Sequence, residues 1–146
     1  LDLPGILGQP ADDTLIYCCG PEGLLQAVEN GSAHWPKNSL RLERFAPKVV
    51  TRDYADEPFE VEFTESGVSV SVGAGESILD AAAEAGLPVI SSCRTGTCGT
   101  CETPVLGGRV DHRDSILTPD EQEANRTMMI CVSRASRGCG KLALAR

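Results

Sequence analysis

No stretch of the chain approaches the ~20 consecutive apolar residues that a membrane-spanning helix requires, and no basic segment followed by an apolar run marks a secretory leader. No membrane partner is therefore expected. Basic side chains are also scarce: 13 Lys and Arg stand against 21 Asp and Glu, a formal net charge of −8. Nucleic acid, whose phosphates are met by clustered Lys and Arg, is not an expected partner either. The acidity is uneven, since residues 51–87 hold one basic and nine acidic side chains while residues 88–146 hold eight and six. A solvated connecting segment and helix face account for that run. Internal repeats are absent. With 146 residues, 41% hydrophobic and 23% charged, the chain has enough apolar side chains to bury a core. One ordinary domain fits, or a small domain with a fragment of another. The chain starts at Leu1 rather than Met, and a piece of a longer protein is expected.

Cysteine is the residue in surplus. There are seven, an odd number that excludes complete internal pairing and is too few for a disulfide scaffold. They are also unevenly placed: Cys18 and Cys19, then the triplet Cys93, Cys98 and Cys101, then Cys131 and Cys139. A tight triplet with a distant fourth member has the form of a metal site. Without a leader, the thiols are expected to be reduced and the compartment cytoplasmic.

Local patterns divide the chain. Thr14–Cys19 is β-prone and ends at Gly20-Pro21; Glu22–Val28 places Leu24, Leu25 and Val28 on one helical face closed by Asn30-Gly31; Leu40–Phe45 alternates apolar and charged residues. These predict one β-α-β unit over residues 1–46, too small to close a doubly wound sheet alone. The segment 47–57, rich in charge and poor in apolar periodicity, is expected to connect this unit to a domain over 58–146. There, Phe59–Phe63 and Val68–Val72 alternate with period two and predict a hairpin. Ser77 caps a helix carrying Ile78, Leu79, Ala82 and Ala85, ended by Gly86 and Pro88. Residues 91–101 hold no apolar side chain except cysteine and predict a loop. Thr118-Pro-Asp-Glu121 is a capping box, and Met128–Val132 and Leu142–Leu144 are strand candidates. The expected class is α+β.

The triplet reads Cys93-x4-Cys98-x2-Cys101, with 29 residues to Cys131. This is plant-type [2Fe–2S] spacing. A loop curling around two irons and two sulfides needs positive φ and close backbone approach, which Gly96 and Gly99 supply. Ser92, Arg94, Thr95, Thr97 and Thr100 would set small polar groups and N–H donors around sulfurs that carry a net charge of about −2. Zinc ribbons use two paired C-x2-C units, and Cys131 has no such partner; a zinc-stapled interaction module stays open as the alternative. A thioredoxin-like pair would enter a helix after Cys101, but Pro104 follows. A Rieske centre needs two His beside Cys, and neither His34 nor His112 is so placed. His112 is read as a surface hydrogen-bonding residue, Trp35 as a packing residue and Cys18 as a buried strand residue; Arg94 would favour the reduced cluster.

Ser92-Cys-Arg-Thr-Gly-Thr-Cys-Gly-Thr-Cys101, Ser77-Ile-Leu-Asp-Ala81, Asp111-His-Arg-Asp114, Leu117-Thr-Pro-Asp-Glu121 and Ile130-Cys-Val-Ser-Arg134 together resemble the ferredoxin domain of the phthalate dioxygenase reductase family. Ile16-Tyr-Cys-Cys-Gly-Pro21 is similar to the last strand and turn of the family's NAD-binding domain. The resemblance implies a β-grasp [2Fe–2S] ferredoxin fold for residues 58–146, preceded by a remnant of an α/β NAD-binding domain. It implies Cys93, Cys98, Cys101 and Cys131 as ligands, with Cys139 left free, and Cys19, Gly20 and Pro21 as the turn near the nicotinamide. It also implies FMN and NADH in a parent reductase as the electron source, and an oxygenase component, Rieske-type, as the acceptor. The chain itself would be an electron carrier, its potential near the plant-type value of about −400 mV.

Overall fold

A β-prone run, a Gly-Pro turn and an amphipathic segment give the expected β-α-β unit near the start of the chain. The computed structural model describes residues 1–48 and 51–146, and the chain divides into two units, Leu1–Phe45 and Ala46–Arg146. The first unit opens with a short helix α1 (Leu3–Leu7), which the sequence patterns did not predict; the Asp2 carboxylate caps it by accepting from the Gly5 N–H at 3.1 Å. Strand β1 (Ile16–Cys19) pairs in parallel with β2 (Leu40–Glu43) across helix α2 (Glu22–Gly31). Both strands are shorter than the patterns suggest. The helix also runs through Asn30-Gly31, because Ser32 is its stop: the Ser32 N–H and hydroxyl both donate to the Val28 carbonyl, at 2.9 and 2.7 Å. Leu7, Leu25 and Val28 are buried. The Trp35 indole N–H donates to the Leu7 carbonyl at 2.8 Å, tying the segment after α2 back to the end of α1.

In the second unit, β3 (Phe59–Phe63) and β4 (Val68–Val72) form the expected antiparallel hairpin. Period-two alternation does the work: Phe59, Val61 and Phe63 turn inward while Glu60 faces solvent. β9 (Lys141–Leu144) lies parallel to β3 and antiparallel to β5 (Glu102–Gly107), and β5 pairs with β7 (Thr127–Met129). The sheet order is β4-β3-β9-β5-β7. A separate two-stranded ladder joins β6 (Val110–Asp111) to β8 (Arg134–Ala135). Helix α3 (Ile78–Glu84) contributes Ile78, Leu79, Ala81 and Ala82 to the core, and the Ser77 hydroxyl caps it by accepting from the Asp80 N–H. Helix α4 (Pro119–Ala124) carries the predicted capping box, Thr118 and Glu121 bonding reciprocally. This mixed sheet grasping one helix is a β-grasp α+β fold.

The core joins Phe63, Val61, Val72, Ile78, Met128, Met129, Ile130, Leu142 and Leu144, all without solvent access. Phe63→Ala should cost about 3–5 kcal/mol, transfer and cavity combined. That is a large part of the ~5–15 kcal/mol that holds a domain together, and urea unfolding of the variant checks it. Among the described residues no helix is long and apolar enough to cross a membrane.

Candidate metal centre

The loop from Ser91 to Thr100 contains no apolar side chain other than cysteine, so no large apolar side chain ties it to the core and its backbone is free to curl. Three left-handed residues set the curvature: Arg94 (φ 56°), Gly96 (φ 73°) and Gly99 (φ 76°). Arg94 adopts this conformation against the usual penalty for a side chain. Gly96 is required at its position. A Cβ there would stand 2.7 Å from Val132 Cγ2 and 3.1 Å from Asp114 Cα. The turn aims backbone donors at one sulfur, and the Thr95 and Thr97 N–H groups both donate to Cys93 Sγ at 3.4 Å. Ser92 and Thr100 are exposed, Thr95 and Thr97 share a hydroxyl contact at 3.2 Å, and the Cys98 thiol donates to Thr100 Oγ1 at 3.2 Å.

The core supplies the other two thiols. Cys101 sits at the start of β5 and Cys131 two residues past the end of β7; both are buried. The sequence patterns put Cys131 at a strand end running to Val132, but pairing stops at Met129, where Val132 N and Ser133 N turn back to the Met129 carbonyl. The turn places Cys131 against Cys101. Leu79 N donates to the Ile130 carbonyl at 3.1 Å, so the start of α3 pins this turn.

Electrostatics single out the same sulfurs. Burial pushes the Cys93 thiol up, but hydrogen bonds from Thr97 and Thr95 outweigh it and bring it down to about 5. A hydrogen bond from Cys131 brings Cys101 down to about 6, and the same bond, with burial, pushes Cys131 up. Cys93 is near enough for its charge to act on both buried thiols. Cys98 is exposed on the outer side of the loop. Among the described residues no three His, Cys, Asp or Glu side chains converge on one ion-sized point.

The chemistry of the loop fits an iron–sulfur cluster: thiols on the loop and in the adjoining core, amide N–H groups directed at one of them, and a cradle closed by Gly96 where no side chain has room. Cys139 is elsewhere. Its half-buried sulfur accepts from Arg109 N and donates to the Lys141 carbonyl, both at 3.3 Å. Arg94 is ion-paired with Asp80 in the first turn of α3, so its charge beside the loop is largely balanced. Cys19 is exposed in the first unit, Cys18 only half-buried instead of buried, and Gly20-Pro21 turns the chain into α2.

Behind the loop lies a feature that sequence patterns register only as an Asp-His-Arg-Asp run. Asp111 accepts from Arg52 at 2.6 Å and from Arg113 at 2.8 Å, and Arg113 also holds Asp56 in a two-pronged pair at 2.6 and 3.1 Å. His112 is not a surface residue. Its side chain is 6% exposed, neither ring nitrogen has a hydrogen-bond partner among the described residues, and Nδ1 stands 3.7 Å from Asp114 Oδ1. Alternation explains the error: the odd positions of a charged run face the salt bridges while the even ones turn inward. The Arg113 guanidinium holds the Asp56 carboxyl below its usual range, and Arg52 and Arg113 overcome burial to do the same for Asp111. A lowered folded-state value means stability that is present above pH ~4 and lost as pH falls through the lowered value. Acid unfolding should therefore begin below about pH 4, and Asp56→Asn should flatten that dependence in a denaturant series across pH.

Comparison with known proteins places the chain in a class. Residues 61–136 match the 2Fe-2S iron–sulfur cluster binding domain, and the chain belongs to that family, whose chemistry is electron transfer through a [2Fe–2S] cluster. Its ferredoxin domain is of the phthalate dioxygenase reductase type. A toluene-4-sulfonate monooxygenase system reductase subunit of Comamonas testosteroni is 45% identical over 130 residues, 88% of this chain and 40% of that protein. The structure of phthalate dioxygenase reductase is 35% identical with a TM-score of 0.69, covering 100% of this chain and 44% of that one. An intact type IV self-sufficient cytochrome P450 monooxygenase is 41% identical with a TM-score of 0.80, covering 100% of this chain and 19% of that one. The chain spans about two-fifths of the length of the curated relatives it matches.

Proposed function

We propose that Cys93, Cys98, Cys101 and Cys131 hold the [2Fe–2S] cluster, and that residues 58–146 are the one-electron relay of a longer reductase. Residues 1–46 are the end of its NAD-binding domain and 47–57 the connection. Electrons come from NADH through FMN in the parent protein and leave to an oxygenase component, Rieske-type. The observation that carries this reading is the meeting of two buried thiols, Cys101 and Cys131, beside a left-handed polar loop whose amides point at Cys93.

When bound, the cluster supplies a site that takes up and gives back one electron. The chain's own residues do the rest. The Thr95 and Thr97 amides stabilise negative charge at Cys93, which raises the potential relative to a bare thiolate set. The exposed Cys98, Thr95 and Thr100 keep that edge of the loop at the surface, within reach of a docking partner. The Cys19-Gly20-Pro21 turn is the part of the parent that meets the nicotinamide.

Iron and acid-labile sulfide assays on anaerobically purified chain test the reading, with the visible spectrum before and after dithionite. About two irons and two sulfides per chain, with a reddish-brown colour that bleaches, is the expected result. Zinc without sulfide would overturn it. A second reading of the acceptor, a haem monooxygenase, is favoured by the higher similarity to the self-sufficient cytochrome P450. Stopped-flow mixing of the reduced chain with a Rieske oxygenase and with a P450 haem domain separates the two.

A further inference from the structure

Segment 51–57 has the composition of a free tether, yet it is fastened along its length, chiefly to the short run that lies behind the cluster loop and at its end to Arg134 of β8. Arg52 reaches Asp111 at 2.6 Å and the His112 carbonyl at 3.3 Å; the Tyr54 hydroxyl donates to Asp111 at 3.4 Å; Asp56 is held by Arg113; the Glu57 carbonyl accepts from Arg134 at 3.2 Å. Just upstream, Lys48 N donates to Ser115 Oγ at 2.8 Å. These groups are partly buried, Asp111 at 10% and Arg113 at 20% side-chain exposure, so their charge-assisted bonds are worth more than surface pairs.

The opposite side of the run holds the loop. Ser115 N donates to the Gly96 carbonyl at 2.9 Å, and Asp114 Cα and Cβ would be 3.1 and 3.4 Å from any Cβ at Gly96. Asp114 keeps its own place by accepting from Ile116 N and Leu117 N at 3.2 and 2.8 Å, and Arg113 N donates to Ser133 Oγ at 3.1 Å, two residues from Cys131. Ile116 Cδ1 lies 3.7 Å from the Cβ position of Gly99.

We propose that Asp111–Ser115 is a two-sided brace, which clamps segment 51–57 on one side and buttresses the cluster loop at Gly96 on the other, so that release of the segment loosens the loop. Asp111 and Ser115 are positioning residues in this scheme, acting on the loop through the backbone between them. The inference rests on the ligand assignment above. Its consequence is that the connection to the rest of a parent protein and the surroundings of the redox centre are one mechanical unit, whose grip weakens with salt.

The test uses the whole chain loaded with its cluster. Trypsin cleaves after Arg52 only when that guanidinium leaves Asp111, so the cleavage rate reads the clamp. Asp111→Ala should raise it roughly tenfold or more, and Asp111→Glu should restore most of the protection. Rising potassium chloride should do the same to the unmodified chain, which covers the case in which Asp111→Ala does not fold. The second readout is the loop: loss of iron to a chelator should speed up several-fold in parallel, with a change in the visible circular dichroism of the cluster. Faster cleavage with unchanged chelator kinetics and dichroism would overturn the coupling. Unchanged cleavage would overturn the clamp. A chain that holds no iron or sulfide would sink the ligand reading and the coupling with it, while the cleavage rate still decides the clamp.

Discussion

Serine in place of Cys93, Cys101 or Cys131 should abolish the visible absorbance of the anaerobically purified chain, and Cys98→Ser should leave at most a weak, short-lived chromophore. Serine in place of Cys18, Cys19 or Cys139 should leave the spectrum as it is. A serine alkoxide binds iron far more weakly than a thiolate, and a cluster with three thiolates has an open corner for water and oxygen. The four positions differ in one respect. Cys101 and Cys131 are buried, so serine there also puts a hydroxyl into the core, whereas Cys98 is exposed. Unfolding midpoints should accordingly fall for the buried pair even in protein stripped of iron, and stay level for Cys98→Ser. Cys139 is the discriminating control. It sits at Arg109 and Lys141, away from the Cys101–Cys131 contact. If Cys139→Ser bleaches the protein and Cys131→Ser does not, the ligand assignment is wrong.

Gly96→Ala should be nearly as damaging without removing any ligand. The added methyl would meet Val132 Cγ2 at 2.7 Å and Asp114 at 3.1 Å, and the φ of 73° penalises any side chain. Two costs of about 1–2 kcal/mol each, backbone and steric, fall on a loop with no apolar anchor. The loop would shift away from the turn that carries Cys131, and iron content after purification should drop severalfold. Gly67→Ala is the comparison. That residue has a similar φ of 69° but, among the described residues, no atom within 4 Å of its Cβ position, so it should lose only the backbone part and keep its iron. Equal iron in both variants would show that the cradle tolerates the methyl.

Much of this was legible in the chain because local rules act there without competition. The hairpin of β3 and β4 follows from clean alternation, α4 from its capping box, and the loop from the absence of apolar residues between Ser91 and Thr100. Strand β5 was missed: Glu102-Thr-Pro-Val-Leu-Gly107 has Pro104 within it, which reads as a break, and its pairing comes from β9 and β7, distant in sequence. The burial of His112 was missed for a similar reason. A charged run reads as surface until the partners of its odd positions are known, and Arg52 and Asp56 lie more than fifty residues away. The thiols were found by spacing, but the contact of Cys101 with Cys131 belongs to the turn after Met129, which no local signal announces.

Strand β9 lies at the centre of its sheet, hydrogen-bonded on one side to β3 and on the other to β5. On a translating ribosome the two flanking halves are made first and cannot be joined until Lys141–Leu144 leaves the exit tunnel. All the candidate ligands emerge before that moment, as reduced thiols on an unfinished sheet. Closure of the sheet beside the candidate ligands therefore waits on the arrival of that one strand.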